Sequence, residues 1–212
     1  MWIGGRFHSS AEICDWNAFL LANAGSREDL AGGADHLGFA GCLESSGWAI
    51  GDGSLDFQIV AATGEDDPTT RDSSEFRTIA QSERDGLGAQ GYWSYLVVTS
   101  PHGPSDVADL GIGLQNRGMG LITVQARWNA PLGRNWSSSL AAGWLRAAAD
   151  SPLVVGPDIG VEIADTLRWD LGAGLALEFG AGYLFSGDFF RIPGGGSPDD
   201  LWEFFSRFQL EF

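Results

Sequence analysis

The chain has 212 residues, enough for one β-domain or barrel, and its 28 acidic and 12 basic residues give a formal net charge of −16. This charge argues against a nucleic-acid partner, which requires a basic surface. The sequence contains no run of about 18 apolar residues and hence no transmembrane helix, although the alternating strands of a membrane β-barrel would escape this test.

The first half of the chain contains segments in which apolar and polar residues alternate. A period of two is typical of β-strands, because successive side chains leave a strand on opposite faces. The Ala- and Leu-rich segment 16–25 also suits a helix, and we favour a strand because 36–46 alternates clearly. The predicted strands in this half are 2–9, 16–25, 36–46, 53–63, 75–81 and 87–99, with polar loops at 63–74 and 100–118.

The two cysteines, Cys14 and Cys42, fall at mirror positions if 16–25 and 36–46 form a hairpin centred near residue 28. A cross-strand disulfide between them would require an oxidising compartment such as the periplasm. The alternative is a pair of buried free thiols, because sequence alone does not fix connectivity.

The second half of the chain alternates more regularly. Asp165 falls on the apolar face of its segment, which predicts a β-bulge at that point. Tight turns are predicted near residues 134 and 172, and longer loops at 147–158 and 187–200. The predicted strands are 119–132, 136–146, 159–170, 175–186 and 201–212.

Short and long connections alternate along this half, and aromatic residues collect near both. Bacterial outer-membrane barrels sort short periplasmic turns from long outer loops, and they carry aromatic girdles at both membrane interfaces. The alternative is a soluble β-fold, whose aromatic residues would concentrate in the middle of the strands. The predicted girdles are Trp128, Trp136, Trp169 and Phe212 near the short turns, and Trp144, Tyr183, Phe185 and Trp202 near the long loops.

We therefore predict an all-β fold, a single antiparallel transmembrane β-barrel of about 10–12 strands that spans residues 1–212. Eleven segments qualify as strands, whereas bacterial barrels have even numbers. One interpretation is a chain truncated before Met1, without its first strand and signal peptide; the other is an error among the N-terminal strands.

The C-terminal half resembles a known family. The stretch from Gly156 to Phe190, in which aromatic residues precede Gly-Asp within Tyr183–Asp188, resembles the C-terminal hairpin of alginate-export-type outer-membrane porins. This resemblance implies an outer-membrane β-barrel and a porin or export function. The terminal strand, with Phe208, Leu210 and Phe212, resembles the signal read by the outer-membrane barrel-assembly machinery.

The polar faces of the strands would line the inside of this barrel. Their arginines could form a ladder that guides anionic solutes, as rings of charge do in anion pores. Alternatively, the arginines pair with neighbouring glutamates and brace the wall. The predicted pore-lining residues are Arg127, Arg168, Arg207, Glu162, Glu178, Glu203 and Gln125.

The function predicted from these patterns is a porin or export channel for hydrophilic solutes, including anionic ones, in the bacterial outer membrane. Its partners would be membrane lipid, the assembly machinery and the solutes. No cofactor, metal or catalytic residue is predicted, because His8, His36 and His102 lack metal-site spacing. The alternatives are a non-conducting structural or adhesive barrel, and a lipid- or polysaccharide-modifying enzyme with a Ser–His pair on the barrel wall.

Overall fold

The computed structural model describes residues 1–29, 32–65, 72–77, 112–152 and 154–210. Nine strands in these residues form one antiparallel sheet, in which every strand pairs with the next along the sequence. They are β1 (Trp2–Ser10), β2 (Asp15–Asp29), β3 (Gly32–Ile50), β4 (Gly53–Ala62), β5 (Leu121–Pro131), β6 (Trp136–Arg146), β7 (Asp158–Gly172), β8 (Leu175–Ser186) and β9 (Leu201–Leu210). Two short 3₁₀ helices, Asn116–Gly118 and Asp188–Phe190, lie in the connections.

The structure confirms the predicted all-β antiparallel fold. Segment 16–25 is a strand, and the strands predicted in the second half are found within a few residues of their expected bounds. The prediction at 75–81 is wrong for residues 75–77, which lie outside any strand. Residues 78–81, the predicted strand 87–99 and most of the predicted loop 100–118 lie outside the described residues.

The predicted bulge at Asp165 is also wrong. Asp165 pairs directly with Leu140 on β6 and with Ala181 on β8, so the register is unbroken around it. The carboxylate instead accepts a hydrogen bond from the Ser138 hydroxyl at 2.8 Å. A neighbouring polar side chain therefore accommodates the charge where a backbone irregularity was expected.

The connections are sorted by length between the two ends of the sheet. The short-turn end carries residues 11–14, 51–52, 132–135 and 173–174, and the long-loop end carries 63–120, 147–157 and 187–200. At 173–174 the tight hairpin is possible because Ala173 and Gly174 adopt positive φ angles of 55° and 76°. The arms of the β2–β3 hairpin extend past the long-loop end, because pairing between β3 and β4 stops at Ala40 and Ala62.

One face of the sheet, the inner face, is covered by an apolar block in its long-loop half. Here Val60, Leu121, Leu145, Ile159 and Leu184 are fully buried. Phe76, Ile112 and Leu114 from the β4–β5 connection complete the block from above. Burial of each large apolar side chain in this block contributes about 1.5–3 kcal/mol to stability.

The sheet curls around this block. Phe19 and Leu21 of β2 pack against it, as do Leu201 and Phe205 of β9, so strands near both edges share one core. β1 and β9 are the outermost strands, and no ladder joins them within the part of the chain that the structure describes.

None of the helices in the described residues is long and apolar enough to cross a membrane.

Candidate functional site

The short-turn half of the inner face is polar. Strand pairing places its side chains in rows that cross the sheet, because directly opposed residues point to the same side. One such row contains Ser137, Arg168, Glu178 and Arg207, which belong to β6, β7, β8 and β9 in that order. The rows bring together charged residues that lie far apart in the sequence.

Glu178 lies between two arginines in this row. Arg168 Nη1 donates to Glu178 Oε1 at 2.9 Å, and Arg207 Nε donates to Oε2 at 2.9 Å. Arg207 Nη2 also pairs with Oε2. Arg168 Nη1 further donates to Gln209 Oε1 at 3.3 Å. Glu178 is only 7% exposed, so its charge is compensated by two guanidinium groups where water has little access.

A second polar network faces the first one from β4, β5 and β6. Asp56 Oδ2 accepts from Asn129 Nδ2 at 2.9 Å and pairs with Arg127 Nη2 at 3.4 Å. The Ser139 hydroxyl donates to Asn129 Oδ1 at 2.8 Å. Asp56 is anchored in turn by the backbone N–H of Gly47, at 2.9 Å from Oδ1.

A cleft of about 550 Å³ lies between the two networks at the short-turn end. This volume falls in the range of roughly 300–1,000 Å³ that is typical of small-molecule sites. The polar side chains on its walls include Ser54, Asn129, Ser137, Ser139, Thr166 and Arg168. Most of the polar residues that line the cleft are therefore neutral, and the charged ones are Asp52, Arg168 and Glu178.

Buried polar residues separate this cleft from the apolar block. Gln125 and Glu162 are each only 2% exposed, and Gln58 is also buried. Gln125 Nε2 donates to Thr123 Oγ1 at 3.0 Å, and Gln58 Nε2 contacts Cys42 Sγ at 3.6 Å. Strand pairing places Gln58, Gln125 and Glu162 in one row, between the cleft and the apolar block.

All seven predicted pore-lining residues lie on the inner face. Arg168, Glu178 and Arg207 come together, as the bracing interpretation expects, whereas Arg127 pairs with Asp56 on β4. Glu203 lies on the inner face of β9, in the row that contains Arg127. Gln125 and Glu162 are buried and do not border open space.

The predicted Cys14–Cys42 disulfide is corrected by the strand register. Cys42 pairs with Phe19, whereas Cys14 precedes Asp15, which pairs with Ser46. The hairpin is centred two to three residues later than predicted, which separates the two cysteines by about 16 Å along the strands at ~3.3 Å per residue. A disulfide needs Cα atoms about 4.4–6.8 Å apart, and both thiols are free and buried.

One serine lies close to a histidine on β1. Ser10 Oγ lies 3.3 Å from His8 Nε2, and both residues are exposed. Asn17, which pairs with His8 across the strands, accepts a hydrogen bond from Arg6 instead. The imidazole therefore lacks the orienting third group that a hydrolytic triad requires, within the described residues.

The opposite face of the sheet, the outer face, is apolar and exposed. From β3 to β8, one row across it contains only large apolar side chains: Leu43, Ile59, Val124, Trp144, Val161 and Phe185. Phe208 and Leu210 of the predicted assembly signal lie on this face and are exposed, while Phe212 is outside the described residues. A continuous apolar face of this extent is uncommon on proteins that are surrounded by water.

Aromatic side chains mark both ends of the outer face. At the short-turn end, Trp136 and Trp169 stack with ring centroids 5.1 Å apart. At the long-loop end, Trp144 Nε1 donates to Asp158 at 3.0 Å and the Tyr183 hydroxyl donates to Asp200 at 2.8 Å. These rings combine an apolar body with a polar group at the end of the strands.

Sequence reasoning missed the hydroxyl-lined wall of the cleft. The run Ser137-Ser138-Ser139 directly follows a tight turn, and Thr166 occupies a polar-face position of β7. Ser137, Ser139 and Thr166 are polar-face hydroxyls that were visible in the sequence, but only the register shows that they border one cleft with Ser54.

Comparison with protein-family models finds no match to this chain, and comparison with curated proteins finds none either.

Proposed function

We propose that this chain is a bacterial outer-membrane β-barrel protein whose interior does not conduct solutes. The observation that carries the membrane assignment is the exposed apolar outer face, bordered by aromatic rings at both ends. Lipid-facing sheets need such a face, because hydrocarbon excludes polar side chains and the interfaces favour Trp and Tyr.

The sorting of the connections supports the same assignment. Short turns at one end and long loops at the other are the arrangement of bacterial barrels. On this proposal the short turns face the periplasm and the long loops face outward. The β2–β3 arms and residues 72–77 then belong to the part outside the bilayer.

The absence of conduction is inferred from the inner face. The long-loop half of this face is filled by the fully buried side chains of Leu121, Leu145, Ile159 and Leu184, which Phe76 of the β4–β5 connection covers. Small barrels are filled by their own side chains in this way, whereas wide porins leave an aqueous channel. The open cleft therefore ends blindly below this block.

A planar-bilayer recording tests the proposal in two steps. The purified protein should remain in the membrane fraction after alkaline extraction, and reconstituted into a bilayer it should give no single-channel steps. Recovery of folded protein in detergent-free buffer would contradict the membrane assignment. If the protein stays in the membrane fraction but gives regular conductance steps, the membrane assignment stands and the proposal of a non-conducting interior is contradicted.

The second candidate is the porin for hydrophilic, including anionic, solutes. The observation that favours it is the pairing of Glu178 with two arginines, of which Arg168 lines the open cleft. Conductance that prefers anions, and that loses this preference in Arg207→Gln, would support the porin. The non-conducting barrel predicts neither result.

A further inference from the structure

Three hydroxyl groups in the cleft have no hydrogen-bond partner among the residues that the structure describes. Ser54, Ser137 and Thr166 line the cleft, and their side chains make no hydrogen bond within the described part of the chain. A hydroxyl can donate one hydrogen bond and accept two. The cleft therefore presents a set of neutral donors and acceptors that are available to a ligand.

The charges around the cleft balance. Arg168 reaches the wall but is held by Glu178, which also faces the cleft, and Asp52 lies in the adjoining turn. The buried carboxylate opposes a second anion, while the two arginines on Glu178 oppose a cation. A neutral ligand meets neither penalty.

An aromatic ring adjoins the hydroxyl wall. Thr166, Gly180 and Phe205 occupy one row across β7, β8 and β9. The Phe205 ring lies over Gly180, since a Cβ added there would meet Phe205 Cε1 at 2.0 Å. The Phe205 ring thus gives the inner face a flat apolar surface over β8, next to Thr166 of β7.

We infer that the cleft binds a neutral, hydroxyl-rich ligand, specifically a short saccharide. The hydroxyls of the sugar would bond to Ser54, Ser137 and Thr166, and its apolar C–H face would pack toward Phe205. Sites of this kind combine a few placed polar groups with apolar surface. The inference goes beyond the proposed function, because a non-conducting barrel does not require a ligand.

The test uses the full chain in detergent and a panel of oligosaccharides of equal length. The panel contains neutral oligosaccharides, uronic-acid oligosaccharides and amino-sugar oligosaccharides. We expect binding to members of the neutral group only. Binding confined to either charged group, or binding to no neutral member, would overturn the inference without affecting the membrane assignment.

Two variants locate the binding in the cleft. Thr166→Val keeps the shape of the side chain and removes its hydroxyl, and Ser137→Ala removes a hydroxyl at an exposed position. Each should weaken binding of the best neutral saccharide by roughly three- to tenfold, the usual effect of one neutral hydrogen bond. Ser206→Ala, an exposed serine on the outer face, is the matched control and should bind as the parent protein does.

Unchanged affinity in Ser137→Ala together with Thr166→Val would show that the saccharide binds elsewhere, and would overturn the cleft as its site. Circular dichroism of each variant separates lost binding from lost folding. If Thr166→Val fails to fold, Ser137→Ala together with Ser54→Ala decides the question by the same criterion.

Discussion

At the scale of single residues, the inner face depends on a carboxylate that is held by two arginines. Glu178 accepts from Arg168 and Arg207 across two neighbouring strand pairs. Removal of one partner from such an arrangement leaves charge without compensation, which costs more than the arrangement contributes as a whole. Glu178 therefore links β8 through its side chain to both neighbouring strands, β7 and β9.

Glu178→Gln should lower the free energy of unfolding by about 1–3 kcal/mol, because it leaves two arginines facing a neutral amide. The lower part of this range is expected, since both guanidinium groups are about one-third exposed. Denaturant titration in lipid vesicles measures the change. Glu12→Gln, an exposed residue in the β1–β2 turn, is the control, and an equal loss in both variants would contradict the proposed role.

A second prediction at this scale concerns His36. This residue lies on β3, in the part of the β2–β3 hairpin that extends past the aromatic side chains of the long-loop end. Asn23 Nδ2 donates to the Arg77 carbonyl at 2.7 Å, so Asn23 Oδ1 is the acceptor for His36 Nε2 at 3.0 Å. The other ring nitrogen, Nδ1, is buried and has no hydrogen-bond partner among the described residues. Burial, followed by the positive charge of Arg77, lowers the pKa of His36, while Glu75 acts in the opposite direction.

A histidine with a lowered pKa in the folded state stabilises the protein above its unfolded pKa of about 6.5 and loses that contribution as the pH falls further. The unfolding midpoint should therefore decrease between about pH 6.5 and 5 more steeply in the parent protein than in His36→Gln. His8→Gln, which changes an exposed histidine on β1, should retain the parent slope. Equal slopes in all three proteins would refute this role of His36.

At the scale of elements, close packing between neighbouring strands fixes the inner wall. Gly180 on β8 provides the space in which the Phe205 ring of β9 lies. The ring covers backbone that would otherwise face the interior, and it links β9 to the apolar block. The packing of β8 against β9 thus depends on the missing side chain of Gly180 and the large ring of Phe205.

Gly180→Ala should destabilise the protein by about 1–3 kcal/mol, because the new Cβ displaces the ring. In a Phe205→Leu background, Gly180→Ala should cost much less stability. A double-mutant cycle of the two substitutions measures the coupling between Gly180 and Phe205. Gly5→Ala on β1, where a Cβ meets no atom within 4 Å, is the control for the change of backbone flexibility. Additive effects of Gly180→Ala and Phe205→Leu would contradict the contact.

Much of this element structure was predictable from the sequence. Alternation is strong in β5 to β9 because one face of each strand is apolar throughout, so Trp136 and Trp169 could be assigned to the outer face. The β2–β3 register was not predictable, since the position of the turn decides it and several polar residues near residue 30 suit a turn. The same uncertainty produced the wrong cysteine pairing.

The cleft was less predictable than the strands. Arg168, Glu178 and Arg207 could be placed on one face by their spacing, but their pairing depends on cross-strand register. The pairing of Arg127 with Asp56 of β4, which lies directly opposite it, was likewise not predicted. Cavities arise from the relative positions of several strands, which a local pattern does not contain.

At the scale of the whole molecule, the two faces of the sheet are inverted relative to a protein surrounded by water. The outer face exposes Leu140 at 42%, in the middle of β6 between Trp136 and Trp144, while Glu162 and Gln125 are buried on the inner face. In water this distribution would favour aggregation. In a bilayer it matches the surrounding hydrocarbon.

Phe57→Arg distinguishes these environments, because Phe57 is exposed on the outer face and pairs with Ser45 and Ala126, neither of which is charged. In lipid vesicles an arginine at the middle of the apolar band should cost about 2–4 kcal/mol of stability, whereas an exposed surface position in water tolerates it within about 0.5 kcal/mol. Phe57→Ala controls for the lost phenylalanine, and refolding into vesicles followed by denaturant titration gives the values. A neutral effect of arginine relative to alanine would argue that this face does not contact lipid.

The unjoined edge strands have a consequence for how such a sheet would be made. Hydrocarbon cannot satisfy free backbone N–H and C=O groups, and each one costs several kcal/mol there. β1 and β9 each present such groups along one side in the described sheet. A strand-by-strand passage into the bilayer would therefore meet a barrier at every step, and the favourable route is one in which the edges acquire partners as the chain enters.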